Sequence, residues 1–260
     1  MIDTHCHLTY EPLCNRVDDV LKRAVEAGVD RMITVGTSPE DSVRTVALVE
    51  RCEKVYATVG VHPHHAAEWV DRGDFDATMR EVFRNPRVVA LGEMGLDNHY
   101  DDPPIEDQRR VLQWQLEIAA ELNDGSPIII HNREATDQIL EALRDSGIPG
   151  GRFVFHCFTG SDRELDDVLE FGAMVSFTGI VTFSNAATLA ASAKRVPQDR
   201  LMVETDAPYL TPEPHRKVRP NEPCHVVHVA KFLASQREVG EKEFVEVVDA
   251  NAVRFFRLPV

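Results

Sequence analysis

The sequence predicts an α/β fold of the TIM type, a (β/α)8 barrel in which a closed ring of parallel strands is surrounded by helices. Two observations lead to this prediction. Eight short apolar segments alternate with helical segments, and the length of 260 residues is close to the roughly 250 typical of such barrels. No low-complexity linker divides the chain, so residues 1–260 are expected to form one domain. The alternative is an open doubly wound sheet, but no GxGxxG or GxxxxGKS motif follows a predicted strand.

Each predicted strand is a short run of apolar, often β-branched residues without a clean alternation of apolar and polar positions. Such runs are typical of parallel strands that are buried on both faces. In chain order the predicted strands are Met1–Thr4, Arg31–Val35, Val55–Val61, Val88–Gly92, Pro127–Ile130, Arg152–Phe155, Ala173–Phe177 and Leu201–Glu204.

Helical patterns occupy the intervals between these strands. Leu112 and Leu116 belong to an apolar stripe at three- to four-residue spacing, which indicates an amphipathic helix. Ser161 followed by Glu164 matches the capping box that begins many helices. The C-terminal stretch from Glu222 to Phe256 is expected to be wholly helical.

The charge balance restricts the partners of the chain. With 28 Lys and Arg against 43 Asp and Glu, the net charge is −15 at pH 7, which repels duplex phosphates and anionic membranes. A nucleic-acid function would therefore need metal ions or a local basic site. No apolar run approaches the roughly 20 residues that cross a bilayer, and no obligate protein partner is evident. Five cysteines without a CxxC pair favour reduced thiols and a cytoplasmic location.

Five of the eight predicted strands end in residues that bind divalent metals. In barrels of this type the functional groups lie at the carboxyl ends of the strands, so these side chains are expected to converge. They are His5 and His7 after the first strand, Glu93 after the fourth, His131 after the fifth, His156 after the sixth and Asp206 after the eighth.

The number of these residues predicts two divalent ions. His5 and His7 are two residues apart in extended chain and so project to the same face, where they could bind one cation together. Four imidazoles and two carboxylates are too many for one tetrahedral ion that keeps an open position. They suit two ions about 3.5–4 Å apart, bridged by a carboxylate, and Glu93 lies between the two groups of ligands. Any one of these histidines alone would more simply be a hydrogen-bonding residue of a loop.

For other residues near the strand ends the sequence predicts a position but no definite role. His62 follows the third strand at the edge where substrate would bind, whereas His64 is expected to face solvent and Asp97 to lie in a loop. Arg133, two residues after His131, could hold a phosphate or pair with an acid on its own helix.

Six segments, most of which contain the strand-end residues named above, resemble the TatD family of metal-dependent hydrolases. They occur in the family's order, and the likeness covers essentially the whole chain. The resemblance implies a TIM barrel of the metal-dependent amidohydrolase kind and a deoxyribonuclease activity that needs divalent metal. It also implies that His5, His7 and Asp206 serve one ion, His131 and His156 the other, and Glu93 both. The matching segments are Asp3–Leu8, Gly92–Asp97, His131–Ala135, His156–Gly160, Ser176–Phe183 and Glu204–Leu210.

One segment departs from the family pattern. The family usually has an Arg-Gly segment directly before its Asn-Glu-Pro, whereas this chain reads Arg216-Lys217-Val218-Arg219-Pro220 before Asn221. The loop near the site is therefore expected to have a different shape.

The resulting hypothesis is a phosphodiesterase with two divalent ions, Mg²⁺, Mn²⁺ or Zn²⁺, that hydrolyses DNA at single strands or strand ends in the 3′ to 5′ direction. Asp206 is expected to be the base that accepts the proton of the attacking water. The phosphate oxygens would be bound by His62, Arg133, Arg216 and Arg219. Two alternatives stay open: a metal-dependent esterase with a substrate such as D-aminoacyl-tRNA, and a non-catalytic metal-binding scaffold.

Overall fold

A computed structural model describes residues 1–72, 75–122 and 124–259 and shows eight parallel strands whose order around the sheet is their order in the chain. A bridge between Cys6 and Ala207, with the amide of His7 donating to the carbonyl of Ala207 at 2.7 Å, brings the first and last strands together. The predicted (β/α)8 barrel is therefore confirmed. The strands are β1 (Ile2–Cys6), β2 (Arg31–Val35), β3 (Val55–Val59), β4 (Val88–Asp97), β5 (Ile128–Arg133), β6 (Phe153–Phe155), β7 (Met174–Phe177) and β8 (Leu201–Val203).

Ten α-helices of the described residues surround this ring, with at least one after every strand. The predicted capping box of Ser161 and Glu164 begins one of them, α7. Within the described ranges, no helix combines the length and the apolar character that a membrane span requires. The helices are α1 (Val17–Glu26), α2 (Pro39–Glu50), α3 (Ala66–Trp69), α4 (Phe75–Phe83), α5 (Ile105–Leu122), α6 (Thr136–Asp145), α7 (Asp162–Phe171), α8 (Ala187–Arg195), α9 (Val226–Gln236) and α10 (Glu241–Phe256).

The prediction that residues Glu222 to Phe256 are wholly helical is wrong, because α9 ends at Gln236 and α10 begins only at Glu241. Glu238 takes a left-handed conformation (φ 56°), and the amide of Val239 donates to the carbonyl of Ala234 at 3.1 Å. This is the hydrogen bond that closes a Schellman motif, in which glycine is the usual left-handed residue. Here the left-handed position holds a glutamate, and the glycine of the break, Gly240, lies two residues later, directly before α10.

The sequence also placed the ends of three strands too early. β1 continues to Cys6, β4 to Asp97 and β5 to Arg133. β4 and β5 remain paired to their ends, with Asp97 opposite Arg133. The hydrogen bonds between the paired strands hold these residues in extended conformation. Their side chains are polar, whereas the buried strands were predicted from apolar runs.

Two layers of side chains fill the ring. One apolar residue from each strand forms the lower layer, and Phe255 and Phe256 of α10 pack against it from below. Two residues later on most strands, on the same face, polar side chains form the layer above. The lower layer is Ile2, Ile33, Tyr56, Ala90, Ile129, Val154, Met174 and Met202, and the upper one includes Thr4, Thr58, His131, His156, Ser176 and Glu204. The interior of the barrel is thus apolar near the amino ends of the strands and polar near their carboxyl ends.

Candidate metal centre

The six predicted ligands meet at the carboxyl ends of the strands. The possible ligand atoms of His5, His7 and Asp206 all lie within 4.8 Å of one another. The same holds for His5 with Glu93 and His156. His131 joins Glu93 in a further group of this kind. Residues that are far apart in sequence thus share one point, as the closed ring requires.

Glu93 lies at the middle of this arrangement with its two oxygens facing different histidines. Oε1 is 2.7 Å from Nε2 of His156 and 2.8 Å from Nδ1 of His131. Oε2 is 3.3 Å from Nε2 of His5 and 3.9 Å from Nε2 of His7. Glu93 as a whole is only 2% exposed, so the charge of its carboxylate is balanced by these neighbours rather than by bulk water.

Two glycines of β4 allow Glu93 to reach this position. The pairing of β4 with β5 shifts in register between Leu91 and Met94, around Glu93. Gly92 has φ 109°, and a Cβ there would come within 2.4 Å of the carbonyl oxygen of Ile129. A Cβ on Gly95 would come within 1.9 Å of the carbonyl oxygen of His131. The close approach of the two strands therefore requires glycine at both positions.

Asp206 closes the other side of the centre. Its Oδ1 is 3.2 Å from Nε2 of His7 and 3.7 Å from Nε2 of His5. The residue has a left-handed backbone (φ 54°), held by its own amide, which donates to the carbonyl of His5 at 2.9 Å. Such conformations cost energy and cluster at functional sites. The side chain is 15% exposed, so this carboxylate is open to the cavity while Glu93 is enclosed.

His62 lies deeper than the sequence suggested. Its Nε2 is 3.1 Å from Nδ1 of His131 and 3.4 Å from Oε1 of Glu93. With those two residues it forms a third group of possible ligand atoms within 4.8 Å of one another. His62 therefore borders the cavity, as predicted for a substrate contact, and also lies within reach of an ion beside Glu93.

Asp97 was expected in a loop, and this expectation is wrong. It is the last residue of β4 and is 1% exposed. Its Oδ2 is 3.1 Å from Nε2 of His131 and 2.9 Å from Nε2 of His64. The imidazole of His64 is 40% exposed and directed at this carboxylate rather than free in solvent. The spacing of four residues from Glu93 is compatible with the same face of an extended strand, but only the pairing with β5 shows that the strand extends to Asp97.

Glu204 lies behind His156, on the side away from Glu93, as Asp97 lies behind His131. Its Oε1 is 3.3 Å from Nδ1 of His156 and accepts the amide of Cys157 at 2.7 Å, while its Oε2 accepts the hydroxyl of Ser176 at 2.6 Å. Carboxylates on the far nitrogen of a ligating imidazole fix its orientation and raise its basicity. Glu204 was predicted only as the last residue of the eighth strand, although it lies two residues before Asp206.

The two carboxylates of the centre are held in the ionised form that binds cations. Burial alone would raise the pKa of Glu93, but the surrounding imidazoles, His156 first, hold it well below its usual range. At Asp206, too, burial would raise the pKa, but the interaction with His7 outweighs this effect and lowers it. Burial and the neighbouring His131 lower the pKa of His62 to about 3, and burial also lowers that of His5. Against the effect of burial, the neighbouring carboxylates raise the pKa of His7, His131 and His156. Metal binding requires neutral imidazoles, so a cation would displace protons from these three side chains.

A cavity of about 620 Å³ opens above these residues. Two tyrosines on its wall are half exposed, Tyr100 at 50% and Tyr209 at 51%. Arg133 also lines it, with its guanidinium 5.1 Å from the centre of the Tyr100 ring. The site therefore combines aromatic surfaces and a positive charge beside the cluster of ligands.

The other two arginines predicted to bind substrate are placed differently. Neither Arg216 nor Arg219 is among the described residues that line this cavity. Arg216 stacks over the ring of Phe183 at 3.9 Å. Arg219 donates from Nη1 to the carbonyl oxygens of Arg216 and Val218 at 2.6 and 2.8 Å, so its side chain is engaged in holding its own loop.

Comparisons with known proteins agree with this architecture. Residues 2–257 match the family described as TatD related DNase. The chain is 38% identical to the uncharacterized metal-dependent hydrolase YabD of Bacillus subtilis (strain 168), over 99% of both chains. It is 37% identical to the 3′-5′ ssDNA/RNA exonuclease TatD of Erwinia billingiae (strain Eb661), over 100% of both. Among solved structures, YjjV, a TatD homologue from Escherichia coli K12, aligns with a TM-score of 0.92 at 29% identity, covering 100% of this chain and 98% of that one.

Proposed function

The chain belongs to the TatD family of metal-dependent hydrolases, and we propose that it removes nucleotides from the 3′ end of single-stranded DNA with the help of two divalent cations. The convergence of six ligand residues beside an aromatic-walled cavity is the observation that carries this proposal. The relatives named as 3′-5′ ssDNA/RNA exonucleases support the choice of substrate and direction.

The donor atoms fit divalent cations. Imidazole and carboxylate ligands about 2.1 Å from an ion lie roughly 3–3.5 Å from each other. The separations around Glu93 and Asp206 run from 2.7 to 3.9 Å, on both sides of this range. One ion would be held by His5, His7 and Asp206, the other by His131 and His156, and Glu93 would contribute one oxygen to each. Imidazoles suit Zn²⁺ or Mn²⁺ and carboxylates suit Mg²⁺, so all three belong in the test.

Bound cations would activate a water molecule and neutralise charge on the scissile phosphate. Side chains of the protein accept the proton and bind the phosphate oxygens. Asp206, ionised and open to the cavity, accepts the proton of the attacking water. His62 and Arg133 bind phosphate oxygens from the cavity wall. Arg216 and Arg219 would act at a distance from the reacting phosphate, on the strand that leads into the cavity.

The cavity wall supports a single-stranded substrate. Unpaired bases stack on exposed aromatic rings, and each such contact contributes about 1–3 kcal/mol whatever the base. Tyr100 and Tyr209 offer two such rings, which a base-paired duplex could not reach with its stacked bases. We also propose a cytoplasmic location, because all five cysteines are free thiols.

The test uses single-stranded oligonucleotides labelled at the 5′ end, with and without a nuclease-resistant 3′ terminus. We expect a ladder of products shortened one nucleotide at a time, formed with Mg²⁺, Mn²⁺ or Zn²⁺, absent with a chelator and blocked by the resistant terminus. Blunt duplex DNA should be a poor substrate. The matched control is Asp199→Asn, an exposed aspartate outside the cavity, which should retain activity that Asp206→Asn loses.

Two outcomes would replace this proposal by another. Hydrolysis of D-aminoacyl-tRNA with no loss of oligonucleotide length would assign the site to an ester of transfer RNA. Calorimetric titration that shows no binding of any of the three cations would leave a scaffold without metal chemistry.

A further inference from the structure

A second cavity, of about 590 Å³, lies at the opposite end of the barrel. Four arginines line it, and we call it the arginine cavity: Arg152 directly before β6, Arg200 directly before β8, Arg254 within α10 and Arg257 just after α10. Because these residues surround the amino ends of the strands, the cavity is separated from the metal centre by the apolar layer inside the ring. Four guanidinium groups at one place are unusual in a chain with a net charge of −15.

The arginines of this cavity bind backbone carbonyls rather than carboxylates. Arg152 Nε donates to Ser126 at 2.9 Å, Arg254 Nη2 to the carbonyl of Asp199 at 2.7 Å, and Arg200 Nη1 to the carbonyl of Gly172. Arg257 donates to the carbonyls of Asp124 and Gly125 at 2.9 and 2.8 Å. Among the residues that the structure describes, no carboxylate forms an ion pair with any of the four. The negative charges nearby include that of Asp199, which lines the cavity, and that of Asp124, which attracts Arg152 and Arg257 without an ion-pair contact. The four positive charges exceed these two.

Arg152 also has a nitrogen without a partner. Its Nη2 is buried and makes no hydrogen bond to any described residue. Leaving a buried donor of a charged group unpaired costs free energy that a ligand acceptor could recover. Burial lowers the pKa of this guanidinium against the attraction of Asp124, and repulsion from Arg257 lowers it further.

The backbone leaves room for these side chains. Gly125 has φ 74°, and a Cβ there would lie 2.4 Å from Nη2 of Arg257. A Cβ on Gly151, at the rim, would meet nothing within 4 Å. Glycine at position 125 thus lets the guanidinium of Arg257 fold over the chain toward the cavity.

We propose that the arginine cavity binds a phosphate dianion, either inorganic phosphate or the terminal phosphate of a small phosphomonoester. The planar fork of a guanidinium matches two phosphate oxygens, and a dianion suits several positive charges better than a single carboxylate does. A long polyanion fits less well, because the arginines surround one cavity instead of forming a stripe and the rest of the chain repels it.

The test is calorimetric titration of the full chain, dialysed against chelator, with inorganic phosphate and separately with a nucleoside 5′-monophosphate. We expect saturable binding of at least one of them. Two lost charge-assisted hydrogen bonds should make the double variant Arg152→Gln, Arg257→Gln bind about tenfold more weakly or worse. Tighter binding of the monophosphate would identify an organic phosphate as the ligand, and equal binding the phosphate group alone.

The control variant is Arg237→Gln. Arg237 is also partly buried and donates to two backbone carbonyls, those of Ala193 and Val196, but it lies outside the arginine cavity. Its affinity should stay within about twofold of the parent. If the double variant does not fold, the exposed Arg254→Gln replaces it and should still weaken binding. The proposal is overturned if neither ligand binds saturably, or if the variants of the cavity bind as tightly as Arg237→Gln.

Discussion

Asp97 offers the most discriminating test of the metal centre, because it touches the centre only through another residue. Its Oδ2 lies 3.1 Å from Nε2 of His131, whose opposite nitrogen faces Glu93 at 2.8 Å. The Asp97→Asn substitution keeps the shape of the side chain and removes the charge that orients this imidazole and raises its pKa. It leaves the contacts of His5, His7 and Asp206 with one another unchanged.

The expected loss follows from the place of Asp97 in the centre. Carboxylates behind ligating histidines are typically worth a factor of about 10–100 in metal affinity. At about 1.4 kcal/mol per factor of ten, this corresponds to roughly 1.4–2.8 kcal/mol. Only the ion beside His131 should be affected, so a titration should show one weakened site and one normal site.

Competition with a chromophoric chelator, read together with elemental analysis, measures both sites. Asp101→Asn is the matched control, since Asp101 carries the same charge four residues later and is exposed. Circular dichroism would confirm that both variants fold. Equal weakening of both ions, unchanged affinity, or the same loss in Asp101→Asn would show that Asp97 does not act by orienting His131.

Three further predictions concern single residues. Glu93→Gln should lose at least one metal ion and hydrolysis, because the shared negative charge disappears; elemental analysis that shows full metal content with near-normal turnover would rule out a bridging role. Asp206→Asn should lower turnover by about 10²-fold or more while one ion stays bound, and full activity would show that it is not the base. Burial, with repulsion from His215 and His228, lowers the pKa of His225 to about 4. The folded state therefore binds fewer protons than the unfolded state, whose value is near 6.5, and stability falls as the pH drops from about 6.5 toward 4. His225→Gln should make the melting temperature fall less steeply over this range, and parallel curves for both proteins would contradict this.

The eight strands could be predicted because parallel strands in a closed ring are covered on both sides and so consist of apolar runs. The predicted ligands followed from the same logic, since the residue after each apolar run must lie at the rim. His131 and His156 stand two residues after Ile129 and Val154 of the lower interior layer, which the alternation of a strand turns to the same face.

Features that depend on contacts between distant segments were not predictable in this way. Asp97 looked like a loop residue because nothing local shows that β4 remains paired with β5 to its end. The role of Glu204 depends on Ser176 and His156, which come from two other strands. Arg219 was predicted from its charge to bind phosphate. That its Nη1 also donates to carbonyls of its own loop was not predictable, because such local hydrogen bonds leave no pattern in the sequence.

The contact between Cys6 and Ala207 has a consequence for how the protein is made. β1 is synthesised six strands before its neighbour β8, so the growing sheet has two unpaired edges that can pair with other chains. His7 and Asp206 are 199 positions apart, and a cation held between them would act as a non-covalent cross-link between the first and the last strand of the barrel. Because closing so long a loop is costly in entropy, such a cross-link stabilises the finished ring at the one junction that is completed last.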